Sequence, residues 1–335
     1  METMPFPAPP YHRIVIIKPG AVGDLLQMTP VIRALNRRYP DASITMMVGA
    51  ESAATLFRND PRIFRVIVHD RTRTSIFRIW KIMHQGSFDL ALNFQRSNIR
   101  TWFLVTAALP CRVLVYRKER RRRIHAAVNY LETLAPLGIS ATDLQLELVL
   151  DDASREFARD LFATEGMDDR PVVALNPGAT HAVNRWPADR FAELADLITK
   201  SLPAKVLVIG GPDDVSLADE IVVRSRSKPP SIAGRTSLLQ LGAVLERCCL
   251  LVSGDTGPLH MATAVGTKVI ALFGAADPER TGPLGTGHRI VRAPSVACVP
   301  CRSRDCSNPV YRECMEKITA SMVLSALSEM LPSRS

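Results

Sequence analysis

The stretch IVIIKPGAVGDLLQMTP, residues 14–30, runs from a continuous apolar segment through a glycine-bearing turn into an apolar, helix-compatible segment from Leu25. A buried strand, a glycine turn and a helix in that order open a βαβ unit. Such a junction normally takes up an anion, because unpaired backbone N–H groups and the helix dipole favour negative charge there. Here the chain supplies its own carboxylate, Asp24, at the junction. Two readings follow: Asp24 caps the helix, or it does chemistry.

Outward from that junction, β-branched runs alternate with helical patterns. RIVIIK, VIRALNRRYP, ASITMMVG, ESAATLFRN and FRVIVHD read as strand, helix, strand, helix, strand. LALNFQ and RVLVY read as further strands and YLETLAPLGI as a helix. The rhythm restarts with PVVALNPG, ADRFAELADLITKS, AKVLVIGGP, LLQLGAVLERC, CLLVSGDTG and TKVIALFG, beyond the polar segment DDASREFARDLFATEGMDDRP. Alternation of this kind implies parallel sheets with right-handed crossovers. The fold class is therefore α/β, with two Rossmann-like βαβ domains facing a central cleft at the carboxyl ends of their strands. The expected boundaries are a flexible, proline-rich leader at 1–12, a first domain at 13–165 and a second at 166–335. The final helix is a candidate to pack back on the first domain.

A chain of 335 residues, 47% hydrophobic and 22% charged, reads as globular rather than disordered. No apolar run approaches the ~20 residues of a membrane span. The start METMPFPAPPYHR has neither a basic n-region nor an apolar core, so it does not read as a signal peptide, and a cytoplasmic location is expected. The net charge of +9 is uneven: residues 1–150 hold 21 Lys+Arg against 11 Asp+Glu, and residues 151–335 hold 21 against 22. An acidic partner for the first half is one reading, whether nucleic acid, an anionic membrane face or an acidic substrate; a solvated basic surface is the other.

Three strand ends carry unusual residues. KPGAVGD is the first, LNPGATHAVNRWP the second and LVSGDTGPLHMA the third. In the third, Asp255 and Thr256 can cap the following helix, while Gly254 and Gly257 permit close backbone approach to a ligand. The N–H groups of Thr256 and Gly257 suit a pyrophosphate, with Pro258 in the first turn and His260 within reach. In the second, Thr180 offers a hydroxyl and Arg185 a cation fit for bidentate phosphate binding; the alternative is a loop whose Trp186 packs between domains. GGPDDVSLADE places Asp213 and Asp214 at a helix start, to accept from a sugar hydroxyl or to cap.

Taken together, KPGAVGDLLQMTP, NPGATHAVNRWP and SGDTGPLHMATAVGTKVIALFG resemble glycosyltransferase family 9, the ADP-heptose:lipopolysaccharide heptosyltransferases and their relatives. The likeness spans nearly the whole chain, and GDTGPLHMA is its most specific block. It implies a GT-B fold, with the acceptor on the first domain and the nucleotide sugar on the second. By position it implies that Asp24 is the catalytic base. It likewise places Thr180, Asp255, Thr256, Gly257 and His260 by the donor diphosphate and sugar, with Asp213 or Asp214 as the acidic donor contact. One departure is visible: relatives commonly carry Lys two residues before the Trp-Pro pair, and here Asn184 stands there with Arg185 next.

The expected reaction is inverting and metal-independent, with no cofactor, and it moves a sugar, heptose on the family likeness, onto an acidic lipopolysaccharide inner core. Lys18, Arg120, Arg121, Arg122 and Arg123 are the candidate acceptor contacts. The run RKERRRR, residues 117–123, also suits an anionic inner leaflet, which implies peripheral contact with the inner membrane. No aromatic-basic module surrounds it, so nucleic acid is not expected as a partner. Cys298, Cys301, Cys306 and Cys314 follow a C-x2-C-x4-C-x7-C spacing, compatible with zinc or with reduced structural thiols; the thiols are favoured and no metal is expected. Two other classes stay open: a nucleotide-cofactor oxidoreductase, against which stands the lack of a G-x-G-x-x-G after any strand, and a non-catalytic basic protein binding nucleic acid or membrane.

Overall fold

A computed structural model describes residues 10–69, 76–95, 106, 111–119 and 121–331. The chain forms two compact units, Met1–Val149 and Leu150–Ser335. In the first, β1 (Arg13–Ile17), β2 (Ser43–Val48), β3 (Ile63–Val68), β4 (Leu90–Asn93) and β5 (Arg112–Val115) form a sheet in the order β3-β2-β1-β4-β5. In the second, β6 (Val172–Asn176), β7 (Lys205–Val208), β8 (Leu250–Gly254), β9 (Lys268–Leu272) and β10 (Arg289–Val291) take the order β10-β9-β8-β6-β7. Every pairing is parallel. Parallel sheets lie buried on both faces, which is why their inner strands read as unbroken apolar runs. All five residues of β6 and all five of β8 are buried.

Strand order reverses once in each sheet, beside β1 in the first and between β6 and β8 in the second. Ligands of open α/β sheets bind outside the carboxyl ends at such switch points. KPGAVGD follows β1, NPGATH follows β6 and GDTGPLH follows β8, so the three singled-out motifs occupy the switch points.

Several boundaries differ from expectation. The units part after Val149, not after residue 165. The polar segment expected to separate them lies within the second unit and contains the helix Asp152–Thr164, capped by Asp151, which accepts from the Ser154 N–H at 2.7 Å. Its buried residues Ser154, Ala158, Leu161 and Phe162 recur at helical spacing. It packs on the helix Leu238–Arg247, where Arg155 meets Glu246 at 2.9 Å. The final helix, Ala320–Met330, packs on Ala188–Ser201 of its own unit. The leader's end is not loose: Tyr11 is buried edge-to-face against Tyr39, and the His12 carbonyl accepts from the Ser43 N–H. YLETLAPLGI is helical only at its start, within Ala126–Glu132; Pro136 follows in a 3-10 turn that closes at Gly138 with φ 69°.

Candidate functional site

In the first unit, β1 ends at Ile17 and the short helix Val22–Leu26 follows. Gly20 lets the turn close: a Cβ there would come within 3.2 Å of both the Asp24 Cβ and the Lys18 Cε. The N-cap is Ala21, which makes no side-chain cap bond, and Asp24 sits inside the first turn. Its carboxylate turns away from the helix, where Oδ1 accepts from the Tyr130 hydroxyl at 3.1 Å and Oδ2 lies 3.8 Å from Lys18 Nζ. The helix-cap reading of Asp24 therefore lacks its hydrogen bond. The Asp24 side chain is 48% exposed and that of Lys18 only 9%, so the carboxylate faces outward and the cation supports it from beneath. Lys18, expected among the acceptor contacts, donates to the Tyr130 hydroxyl at 2.8 Å.

The basic run is partly self-neutralised. Arg122 forms a bidentate pair with Glu132 at 2.8 and 3.0 Å and also reaches Glu119. The backbone N–H groups of Arg121 and Arg122, and then the Arg122 side chain, hold the Glu119 carboxyl down at about 2. Arg121 and Arg123 are exposed, and Arg120 lies outside the described residues.

In the second unit, one residue not expected at the site organises it. Asn176, buried at the end of β6, donates through Nδ2 to Ser253 Oγ at 2.9 Å and Thr256 Oγ1 at 3.0 Å. These two bonds tie the end of β6 to β8 and to the turn that follows it. The side-chain oxygen of Thr256 also lies 3.1 Å from that of Ser253, so Thr256 occupies the N-cap of Gly257–Ala264 without capping it. Thr256 therefore does not play the expected cap. Asp255 accepts from the Thr281 hydroxyl at 2.8 Å and faces His260 Nε2 at 3.8 Å; His260 is buried. The helix start thus presents its backbone with a buried imidazole in the first turn, an arrangement suited to an anion.

Asp213 and Asp214 separate by environment. Asp214 Oδ2 accepts from the Gly211 N–H at 3.0 Å, and a Cβ on Gly178 would come within 2.4 Å of the same oxygen. Asp214 therefore brackets the loop after β6, while Asp213 is exposed. Thr180 is exposed as well. Arg185 donates to the Ala179 carbonyl at 3.3 Å, and a Cβ on Gly254 would meet the Asn184 carbonyl at 3.1 Å, which fixes how closely the two loops approach. Trp186 packs within the second unit: it is 2% exposed, edge-to-face with Phe191, and its indole N–H donates to the Ile318 carbonyl at 2.9 Å.

Cys298, Cys301, Cys306 and Cys314 line one cavity of about 30 Å³. The Arg312 N–H donates to Cys306 Sγ, and burial and then the other three thiols push the Cys314 thiol up. Among the described residues no group of three or more His, Cys, Asp or Glu is arranged to hold a metal ion. Protein purified without added zinc should carry well below one equivalent by elemental analysis, and stoichiometric zinc surviving dialysis would contradict the thiol reading.

No helix among the described residues is long and apolar enough to cross a membrane. The family model "Glycosyltransferase family 9 (heptosyltransferase)" matches residues 76–312. The chain is 29% identical over 286 residues to lipopolysaccharide heptosyltransferase 3 of Escherichia coli strain K12, covering 76% of this chain and 80% of that protein. Among solved structures, a family 9 glycosyltransferase from Veillonella parvula superposes with a TM-score of 0.83 at 24% identity, over 96% of this chain and 97% of that one. The E. coli ADP-heptose lipopolysaccharide heptosyltransferase II gives 0.78 at 21% identity, over 95% and 98%.

Proposed function

The chain belongs to glycosyltransferase family 9, a GT-B type glycosyltransferase, and we propose that it moves heptose from ADP-heptose onto the inner core of lipopolysaccharide with inversion. The observation that carries this reading is Asp24: an outward-facing carboxylate at the end of β1, held from behind by Tyr130 and Lys18 rather than spent on a cap. The names of the relatives supply the substrates. Asp24 takes the proton of the acceptor hydroxyl as its oxygen bonds to the anomeric carbon. The bond from that carbon to the diphosphate breaks, and the electron pair leaves with ADP.

The second unit serves the leaving group. The N-terminus of Gly257–Ala264, with Thr256, Gly257 and His260, receives the diphosphate. Arg185 and Thr180 support it, Asp255 orients His260, and Asp213 accepts from a donor hydroxyl. In this scheme Asp214 holds the loop. Charge on the leaving group is met by the helix start and Arg185, so turnover should persist in EDTA; loss restored only by added Mg²⁺ would count against it.

The first unit serves the acceptor. Exposed Arg121 and Arg123 face the anionic core, and the work takes place on the cytoplasmic side, peripheral to the inner leaflet. Replacing both with Gln should raise the acceptor KM several-fold and leave kcat and donor affinity nearly unchanged, because uniform binding energy appears in KM. The wild-type KM should also climb with salt, since exposed charges are screened beyond ~8 Å at physiological ionic strength. Equal losses of donor and acceptor affinity would put the basic run at the diphosphate instead. The function itself is tested by incubating pure protein with a panel of nucleotide sugars and a truncated lipopolysaccharide acceptor while following nucleotide release. ADP-heptose should be the productive donor, and turnover of another nucleotide sugar in its place would overturn the assignment.

A further inference from the structure

We propose that Tyr130 is a positioning residue for Asp24, and that Lys18 acts on Asp24 through the Tyr130 hydroxyl; the inference rests on Asp24 being the base. It follows from counting protons. An ammonium only donates, so at 2.8 Å Lys18 Nζ donates to the phenol oxygen. The phenol's own proton is then left for Asp24 Oδ1, at 3.1 Å. Lys18 Nζ stands 3.8 Å from Oδ2, beyond direct hydrogen-bond reach. Beyond that ion pair, the cation reaches the carboxylate as a polarised O–H, with each bond of the chain strengthening the next.

The phenol is held firmly enough to aim a partner. Tyr130 lies on the helix Ala126–Glu132 and is 3% exposed. Its ring stands edge-on to Phe94, at 5.7 Å and 83°, and to Tyr116, at 5.1 Å and 63°. Lys18 Nζ lies 4.6 Å from its centroid, which adds a cation–π contact. Phe94 and Tyr116 are themselves pinned just beyond β4 and β5, through N–H bonds to the Ile17 and Asn93 carbonyls. Asp24, by contrast, is half-exposed on a five-residue helix. Fixing Oδ1 to a rigid phenol turns the carboxylate so that Oδ2 is the oxygen that receives the acceptor's proton. Tyr130 touches no substrate in this scheme; it decides which oxygen does.

The test compares Tyr130→Phe, Lys18→Met, the double variant and Asp24→Asn in the full-length protein, with ADP release as the readout. Tyr130→Phe keeps the ring and should melt within a few degrees of wild type. It should lower kcat by ~10-fold while the donor and acceptor KM values stay within two-fold, the mark of lost orientation rather than lost binding. Lys18→Met should lose about as much. The double variant should lose clearly less than the product of the two single losses, because the cation acts in large part through the phenol. Unchanged kcat in Tyr130→Phe overturns the proposal. So does a rise in KM that accounts for the loss, or a double variant whose loss is the product of the two. Asp24→Asn separates the two levels: if it retains turnover, the base assignment falls and this inference with it. If Asp24→Asn is inactive and Tyr130→Phe is not, only the positioning role falls.

Discussion

Asp24→Asn should cut turnover by ~100-fold or more while leaving the fold and donor binding nearly intact, the usual scale for removing a general base. The amide keeps the shape of the carboxylate and can still accept from the Tyr130 hydroxyl, so the short helix after β1 has no reason to rearrange. What it cannot do is take a proton. Stability should change little, because the ion pair with Lys18 spans 3.8 Å to a half-exposed carboxylate, a geometry worth about 0–1 kcal/mol. The checks are steady-state turnover with ADP-heptose and a separate titration of ADP onto the variant. Turnover within a few-fold of wild type would remove Asp24 from the chemistry, and loss of ADP affinity in step with turnover would make the defect one of structure.

Why Asp24 was legible in the sequence, and Tyr130 was not, is a matter of distance along the chain. A carboxylate between a strand and a helix announces itself within seven residues, whereas the phenol that holds it comes 106 residues later. The parallel strands were readable because burial on both faces demands apolar runs; three-residue β10 is too short to show one. The helix Asp152–Thr164 hid behind its charge. Its buried stripe of Ser154, Ala158, Leu161 and Phe162 begins on a serine, so polarity masked the period. The three motifs named the site because glycines, prolines and caps are local signals. Asn176 is not legible because an asparagine closing an apolar strand reads as a turn residue, and its partners lie far along the chain, Ser253 in β8 and Thr256 just beyond it. Thr256 does not cap its helix for the same reason, that a partner distant in sequence, Asn176, takes up its hydroxyl together with Ser253.

Trp186→Ala should be the most destabilising single change at the donor loop, and its functional effect should follow from its structural one. The indole is 2% exposed, lies 4.7 Å from the Phe191 ring and donates to the Ile318 carbonyl. Truncating a buried Trp costs about 3–5 kcal/mol in transfer and cavity terms, which for a unit of this size lowers the melting temperature by on the order of 10 °C. Trp186 also anchors the loop that carries Arg185, whose carbonyl accepts from Arg312 at 3.1 Å. Without the indole, the loop after β6 loses its fastening to the core, and Arg185 loses a fixed place from which to meet a phosphate. The donor KM should therefore rise well beyond any change in acceptor KM. Trp186→Phe separates the parts: it keeps most of the packing but loses the N–H donor, leaving the Ile318 carbonyl unpaired at a cost of about 1–3 kcal/mol. Thermal melts and donor titrations of the two variants decide it. If Trp186→Ala melts early yet binds ADP as wild type does, either the loop is held by something other than Trp186 or Arg185 is not the cation that meets the diphosphate.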